Sequence, residues 1–277
     1  MDRDAWKEAR RSGIGSSDAA AIAGLNPYRS SLSVYADKAF GVEEEENEPM
    51  VLGRALEPVI GQEFARRTGF QIRRRRAILR SASIPFAICN LDFEVREPDG
   101  ALSILECKAC SEWMADAWAD GAIPDMYAIQ VHHQLMVTGR DHGWIAVLLG
   151  GNRLQWQRID ADPDIAANLA AMEGAFWKRV QDRNPPPPDG SDSAEEALRA
   201  LFPRGPEREE VVLPVEAEAL VRQYAEAARA EKAAREEKAL AKQRLQQQMG
   251  LGQVGVIGGQ RVCTWTERGF RLTKEAM

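Results

Sequence analysis

The chain is poor in residues that announce chemistry by themselves: three histidines and four cysteines in 277 residues. Cys89, Cys107, Cys110 and Cys263 form neither a dense disulfide framework nor paired Cys-x-x-Cys knuckles, so they read as free thiols of a reducing compartment. His132 and His133 are adjacent and face different sides of a helix, which excludes a His-x-x-x-His zinc pair. No long charge-free apolar run occurs, and the opening "MDRDAWKEAR" is charged where a secretion signal would be apolar. A cytoplasmic protein without a membrane segment is expected. A net charge of -6 excludes a general basic coat for gripping nucleic acid but leaves room for a local basic channel. The 44% of apolar residues can fill a core, in one large domain or a medium one with an appendage.

Charge is unevenly placed. "EEEENE" at 43 to 48 reads as a solvated loop, and "RRRR" at 73 to 76 opens an apolar segment. The first 41 residues read as a short helix, a Gly-rich turn, an Ala-rich helix capped by Ser16 or Ser17, a turn at Asn26-Pro27 and a helix ending at Gly41. "MVLGRALEPVIGQEFARRTG" has helical apolar spacing and stops at Gly69. Strands are expected over Phe70 to Leu79, Phe86 to Val95 and Leu102 to Lys108, the last two joined by a hairpin turn at Pro98-Asp99-Gly100. "SEWMADAWADG" reads as helix, Pro124 restarts a helix through "MYAIQVHHQLMVTG", "HGWIAVLLGG" and "RLQWQRI" form a second hairpin, and Pro163 to Gln181 is a closing helix. This order gives an α+β or mixed α/β core spanning residues 1 to 183.

"NPPPPDGSDS" cannot continue a helix or a central strand, so 184 to 214 reads as a Pro-rich linker and irregular segment. Beyond it, 215 to 277 reads as a long charged helix ending at Gly250, with Glu218/Arg222 and Glu231/Arg235 at i,i+4 spacing, followed by a hairpin turning at Gly258-Gly259. The helix's apolar positions are mostly Ala, so a strict Leu heptad seam is absent.

The chemistry concentrates in "FAICNLDFEVREPDGALSILECKACSEW". Residues two apart in a strand share a face, so Glu106 and Lys108 point together and Cys107 points oppositely. The hairpin turn brings the strand of Asp92 beside that of Glu106, about 5 Å away. Solvated charges on a surface hairpin are the commoner outcome of such a pattern. Here the apolar flanks "FAIC" and "LSIL" describe central strands, where two carboxylates and an ammonium ask for a ligand. Hard oxygen donors with few imidazoles suit Mg²⁺ or Mn²⁺ better than Zn²⁺. Such a metal would lower the pKa of a bound water and neutralise charge on a phosphate, with Lys108 orienting that water or stabilising the transition state.

Asp92 followed fourteen positions later by Glu106-Cys107-Lys108 resembles the D...ExK signature of the PD-(D/E)XK nucleases. With "RRSGIGSSDAAAIAGLNPYRS", "LGRALEPVIGQEFARRTG" and "IPDMYAIQVHHQLMVTGRDHGWIAVLLGG" around it, the resemblance narrows to YqaJ-type viral recombinases, the phage lambda exonuclease family, over roughly residues 8 to 182. The resemblance implies a nuclease core with a central mixed sheet flanked by helices. It implies a Mg²⁺ site (Mn²⁺ substituting) held by Glu57, Asp92, Glu106 and the Cys107 backbone carbonyl, with Lys108 and Gln130 completing the catalytic set. Gln134 stands where many relatives have a tyrosine. Arg11 and Ser17 match the residues that hold a DNA 5'-phosphate, and because the alignment needs a one-residue gap, Arg10 or Ser16 can take those places. Ser16 and Ser17 at a helix N-terminus would favour an anion on physical grounds too, though a cap serving only the helix is equally expected there.

The implied activity is 5' to 3' resection of double-stranded DNA ends, leaving 3' single strands for a single-strand annealing protein in phage-type recombination, by a ring-shaped homotrimer in a bacterial cytosol. An endonuclease of the same fold, or a DNA-binding or assembly protein with a vestigial site, are the other readings. Intact Asp92, Glu106 and Lys108 speak against the second. Cys107-x-x-Cys110 lacks the pattern of iron–sulfur nucleases. Trp113 and Trp118 read as packing residues. Of the four arginines at most two can line one groove if the run is extended, the others being solvated or paired.

Overall fold

The computed structural model describes residues 3–42, 46–205 and 210–273. Of the acidic run expected as a solvated loop at 43 to 48, residues 43–45 lie outside the described residues, while Asn47 caps and Glu48 opens a helix. Two compact units divide the chain, one up to Gly205 and one from Pro206.

In the first unit a five-stranded sheet has the order β1 (Gln71–Arg73), β4 (Phe93–Arg96), β5 (Leu102–Cys110), β6 (His142–Leu149), β7 (Arg153–Asp160). Only β5 and β6 run parallel; the other neighbours are antiparallel. The parallel pair needs a crossover, made of a 3-10 segment (Glu112–Gly121) and helix α5 (Asp125–Thr138). Alternation along β5 decides the two layers. Ile104 packs with Val131, Leu135, Ile145 and Val147 on the α5 side. Leu105 and Cys107 pack with Ile60 and Phe64 of α4 (Glu48–Thr68) on the other. Burying both faces of β5 is what permits its long apolar run.

Capping explains where α4 begins and ends. Asn47 Oδ1 accepts from the Met50 N–H, and Gly69 closes the helix at φ 75°, a left-handed conformation that favours glycine. A third cluster joins α2 (Ser16–Ile22), α3 (Ser31–Phe40), α6 (Pro163–Gln181) and α7 (Asp192–Leu201) through Ala21, Tyr35, Phe176, Ala194 and Ala197, with Ile14 before α2. Helix α7 corrects the sequence expectation of an irregular segment at 184–214. The prolines do break the chain, but Ser191 caps a new helix whose Ala194 and Ala197 are buried against this cluster.

Two expected strands are shorter than their patterns: of Phe70–Leu79 only β1 and, at its end, β2 (Leu79–Arg80) are strand, with 74–78 irregular between them. The expected strand Phe86–Val95 is split at Asn90-Leu91-Asp92: β3 (Ile88–Cys89) pairs with β2 (Leu79–Arg80) as a separate ribbon, while β4 joins the main sheet. The segment after Ser111 is helical as expected, in 3-10 form and interrupted at Ala119 and Asp120.

The second unit comprises α8 (Ala217–Met249), without a buried residue, and an antiparallel sheet of β8 (Val254–Ile257), β9 (Gln260–Thr266) and β10 (Gly269–Leu272). The hairpin turns at Gly258 and Gly259, both at positive φ, as the sequence suggests. β10 is an added strand that the sequence reading does not contain. Glu218 and Arg222 form the expected i,i+4 ion pair at 2.7 Å.

Candidate active site

Asp92 stands immediately before β4, where the break from β3 leaves it outside the ladder, and its Oδ2 accepts the Cys107 backbone N–H at 2.8 Å. This bond ties the carboxylate to the centre of the ExK strand. Glu106 is only 4% exposed, and Lys108, two residues on, donates to its Oε1 at 2.6 Å. Glu106 and Lys108 thus meet on one face of β5, and Asp92 is bonded to the backbone of the residue between them.

Helix α5 supplies the rest of the cage. Gln130 Nε2 donates to Glu106 Oε1 at 2.6 Å while its Oε1 accepts from Lys108 Nζ at 2.9 Å, so one amide bridges both charges. Gln134, one turn later, donates to Glu106 Oε2 at 2.6 Å. Four-residue spacing places both side chains on one helix face, a signal present in the sequence whose meaning emerges only when that face meets β5. The Lys108 ammonium also sits 5.2 Å from the centre of the Tyr127 ring, which stacks on fully buried Trp118. Tyr127 is a site neighbour that the sequence reading overlooks. Trp118 packs as expected, whereas Trp113 does not: it is 90% exposed.

Electrostatics single out the same place. Burial raises the Asp92 carboxyl well above its ordinary range, and the charges of Glu106 and Glu57 push it further. Burial likewise raises Glu57, with Glu106 adding to it and Arg74 opposing. Burial would lower Lys108, but Glu106 and Asp92 outweigh it and the ammonium is raised. Three mutually repelling carboxylates thus share one lysine. Arg74 adds a cation at the edge, its guanidinium 3.0 Å from Glu57 Oε2. Among the described residues no three His, Cys, Asp or Glu side chains already converge as a metal cage. The donor set nevertheless suits a hard divalent cation: oxygen atoms, excess negative charge, and an Asp92 whose ionised form such a cation would favour.

The residues expected at a 5'-phosphate are arranged differently from the motif. The N-cap of α2 is Gly15, with Ser16 and Ser17 opening the helix itself. Ser16 is buried, and the hydroxyl of exposed Ser17 accepts from Arg10 Nη2 at 2.8 Å. Arg11 instead lies against Asp37 (3.5 Å) and the Gly41 carbonyl (3.3 Å). Arg10, the alternative left open by the alignment, is the arginine at Ser17. Asp18 anchors this corner. It accepts the Gly15 N–H and pairs with Lys38 at 2.8 Å and Arg29 at 2.5 Å; burial opposes its ionisation, but these cations hold the carboxyl well below its usual range. Gly13 must be glycine, because a Cβ there would lie 2.5 Å from the Phe86 carbonyl oxygen. That close approach lets Ile14 exchange backbone bonds with Phe86 and Ile88, setting α2 beside β3.

His132 and His133 part as expected. His133 is buried, with Nδ1 2.7 Å from Glu173 Oε1 and Nε2 2.8 Å from the Ile88 carbonyl oxygen. The cysteines of Cys107-x-x-Cys110 also separate: Cys107 enters the α4-side core and Cys110 lies near the Tyr127 hydroxyl.

The fold and this site define a mixed α/β protein with an acidic, lysine-bearing centre on the middle strand of its sheet. Residues 5–141 match the YqaJ-like viral recombinase domain, a range that includes Glu57, Asp92, Glu106, Lys108 and Gln130. It is similar to the uncharacterised protein YqaJ of Bacillus subtilis strain 168, 37% identical over 207 residues, covering 73% of this chain and 64% of that protein. The chain thus spans somewhat under two thirds of that relative. In fold it resembles the alkaline exonuclease LHK-Exo of Laribacter hongkongensis, with a TM-score of 0.55 and 19% identity over 65% of this chain and 94% of the exonuclease. The same exonuclease in complex with dAMP gives 0.56 and 19%, covering 72% and 97%.

Proposed function

We propose that this chain is a Mg²⁺-dependent deoxyribonuclease that resects double-stranded DNA ends 5' to 3'. The observation that carries the reading is Glu106 with Lys108 in the middle of β5, clamped by Gln130, with Asp92 bonded to the backbone between them. Glu57, Asp92, Glu106 and the Cys107 carbonyl are the groups that would hold the ion. When bound, it supplies charge neutralisation at the phosphate and a lowered pKa for water. Lys108, fixed by Glu106, Gln130 and the Tyr127 ring, presents its ammonium to charge developing on the phosphate. Gln130 and Gln134 keep Glu106 from rotating. The α2 N-terminus with Arg10, Ser17 and their neighbour Ser16 offers amide, hydroxyl and guanidinium donors to a terminal 5'-phosphate, Arg11 being engaged with Asp37.

The product, a 3' single strand, calls for a single-strand annealing protein as partner. A homotrimer enclosing the duplex is the assembly suited to keeping hold of one end, and a bacterial cytosol its compartment. The family match and the likeness to an exonuclease fold support a nuclease acting in recombination, and the polarity and partners are proposed with it. In the described residues no helix is long and apolar enough to cross a membrane.

The test is degradation of a linear duplex with 5'-phosphate or 5'-hydroxyl ends, with Mg²⁺ and with chelator, beside a closed circle. Metal-dependent loss of the phosphorylated linear duplex first, with the circle intact, is expected. Cutting of the circle would establish the endonuclease alternative, and no cutting at all would leave the site vestigial.

A further inference from the structure

The arginine run is not a uniform basic strip. β1 ends at Arg73, and alternation sends Arg73 and Arg75 to one carboxylate, Glu94, at 2.5 and 2.7 Å. Arg74, pointing the other way, reaches Glu57. The two pairings differ in kind. Glu94 receives two arginines, one of them through two guanidinium nitrogens. Arg74 gives Glu57 one bond, at 3.0 Å, from a backbone position beyond the strand ladder. Its side chain is 41% exposed and Glu57's is 18%. A single, half-solvated contact is easily exchanged.

We propose that Arg74 is a displaceable cation: it neutralises Glu57 until a divalent metal ion takes that carboxylate, and the freed guanidinium then binds a phosphate of the DNA backbone. The inference rests on the metal-dependent nuclease reading of the same site. Glu57 is repelled by Glu106 and Asp92, so it needs a cation, and one that also neutralises those two carboxylates serves better than a guanidinium touching Glu57 alone. Once a divalent ion sits there, Arg74 is repelled in turn. Its planar fork then suits a phosphate, which it can bind through two N–H donors. Metal loading would thereby switch on a backbone contact beside the centre. Arg73 and Arg75 would stay with Glu94, a pairing the metal does not disturb.

Calorimetric titration of Mn²⁺ into the full chain tests the exchange, comparing the parent with Arg74→Gln and with Arg76→Gln, which removes the same charge from the same run. Arg74→Gln is expected to bind Mn²⁺ about two- to fivefold tighter, as removal of a competing exposed ion pair allows, with Arg76→Gln closer to the parent. In the Lys108→Ala background, duplex binding over a salt series should lose about one unit of log–log slope with Arg74→Gln when Mn²⁺ is present and little without it. Equal Mn²⁺ affinity of parent and Arg74→Gln, or an equal gain in Arg76→Gln, overturns the exchange and leaves the nuclease reading standing. A parent chain that binds no Mn²⁺ defeats that reading and the exchange with it.

Discussion

Gln134 donates to Glu106 Oε2 at 2.6 Å from a position one helical turn beyond Gln130, so the two amides hold the two oxygens of one buried carboxylate. Truncating Gln134 leaves that oxygen without its donor, at a cost of roughly 1–3 kcal/mol. Gln134→Leu is expected to lower stability in chemical denaturation by that amount and to reduce turnover more than duplex affinity. Unchanged stability and turnover would show that Glu106 needs no such clamp.

Asp92 gives a prediction with a sign. Its carboxyl is raised by burial and by Glu106 and Glu57, so between the ordinary carboxylate range and the raised value the folded chain holds a proton that the unfolded chain has released. Stability of the metal-free protein therefore falls as pH rises through that window. Asp92→Asn removes this slope and keeps an acceptor for the Cys107 N–H. Without metal its melting temperature at neutral pH should match or exceed the parent's, while Mn²⁺ ceases to raise it. A variant that melts lower at every pH yet still gains from Mn²⁺ contradicts the assignment.

The buried His133–Glu173 pair gives a pH dependence of the same sign for a different reason, since here the charged form is the one favoured. Burial would lower His133, but Glu173 and the Ile88 carbonyl outweigh it and the imidazole is raised. Its stabilisation is complete below the ordinary histidine value of about 6.5 and is lost as pH climbs through the raised value. Removing one partner of such a pair costs roughly 3–5 kcal/mol. The stability difference between parent and His133→Gln should thus be largest near pH 6 and narrow towards pH 9, which urea unfolding at both values measures. A difference independent of pH would mean that the pair is not ionised.

Gly61 couples packing to the site. It lies one turn after Glu57, and a Cβ there would stand 2.4 Å from the Phe93 ring, next to Asp92. In an open helix Gly→Ala gains up to about 1 kcal/mol; against Phe93 the overlap prevails, and a net loss of about 1–3 kcal/mol is expected. Gly61→Ala should also weaken Mn²⁺ binding by shifting α4, and with it Glu57, from the sheet. A stabilised variant with full affinity would refute the coupling.

Much of this was legible because periodicity and punctuation agree. α6 starts and stops at Pro163 and Gln181 as its pattern suggests, and Pro98-Asp99-Gly100 does join β4 to β5. The pairing of Glu106 with Lys108 follows from strand alternation alone. What stayed hidden depends on which surfaces meet. Nothing local separates β3 from β4, since the break at Asn90 is imposed by pairing with two different partners, β2 and β5. Arg10 and Arg11 are adjacent in sequence, and only the packing of α1 (Arg3–Arg11) near α3 turns Arg11 to Asp37 and leaves Arg10 for Ser17. Trp113 reads as core by composition, yet the 3-10 geometry after Ser111 turns it outward.

The most direct measurement is hydrolysis of a linear duplex by the purified chain and by Lys108→Ala, each with Mg²⁺ and with excess chelator, alongside duplex binding by both proteins. The account predicts Mg²⁺-dependent degradation by the parent, at least about a hundredfold slower in Lys108→Ala, with duplex affinity retained. Equal hydrolysis by the two proteins, or degradation that survives chelation, would contradict it.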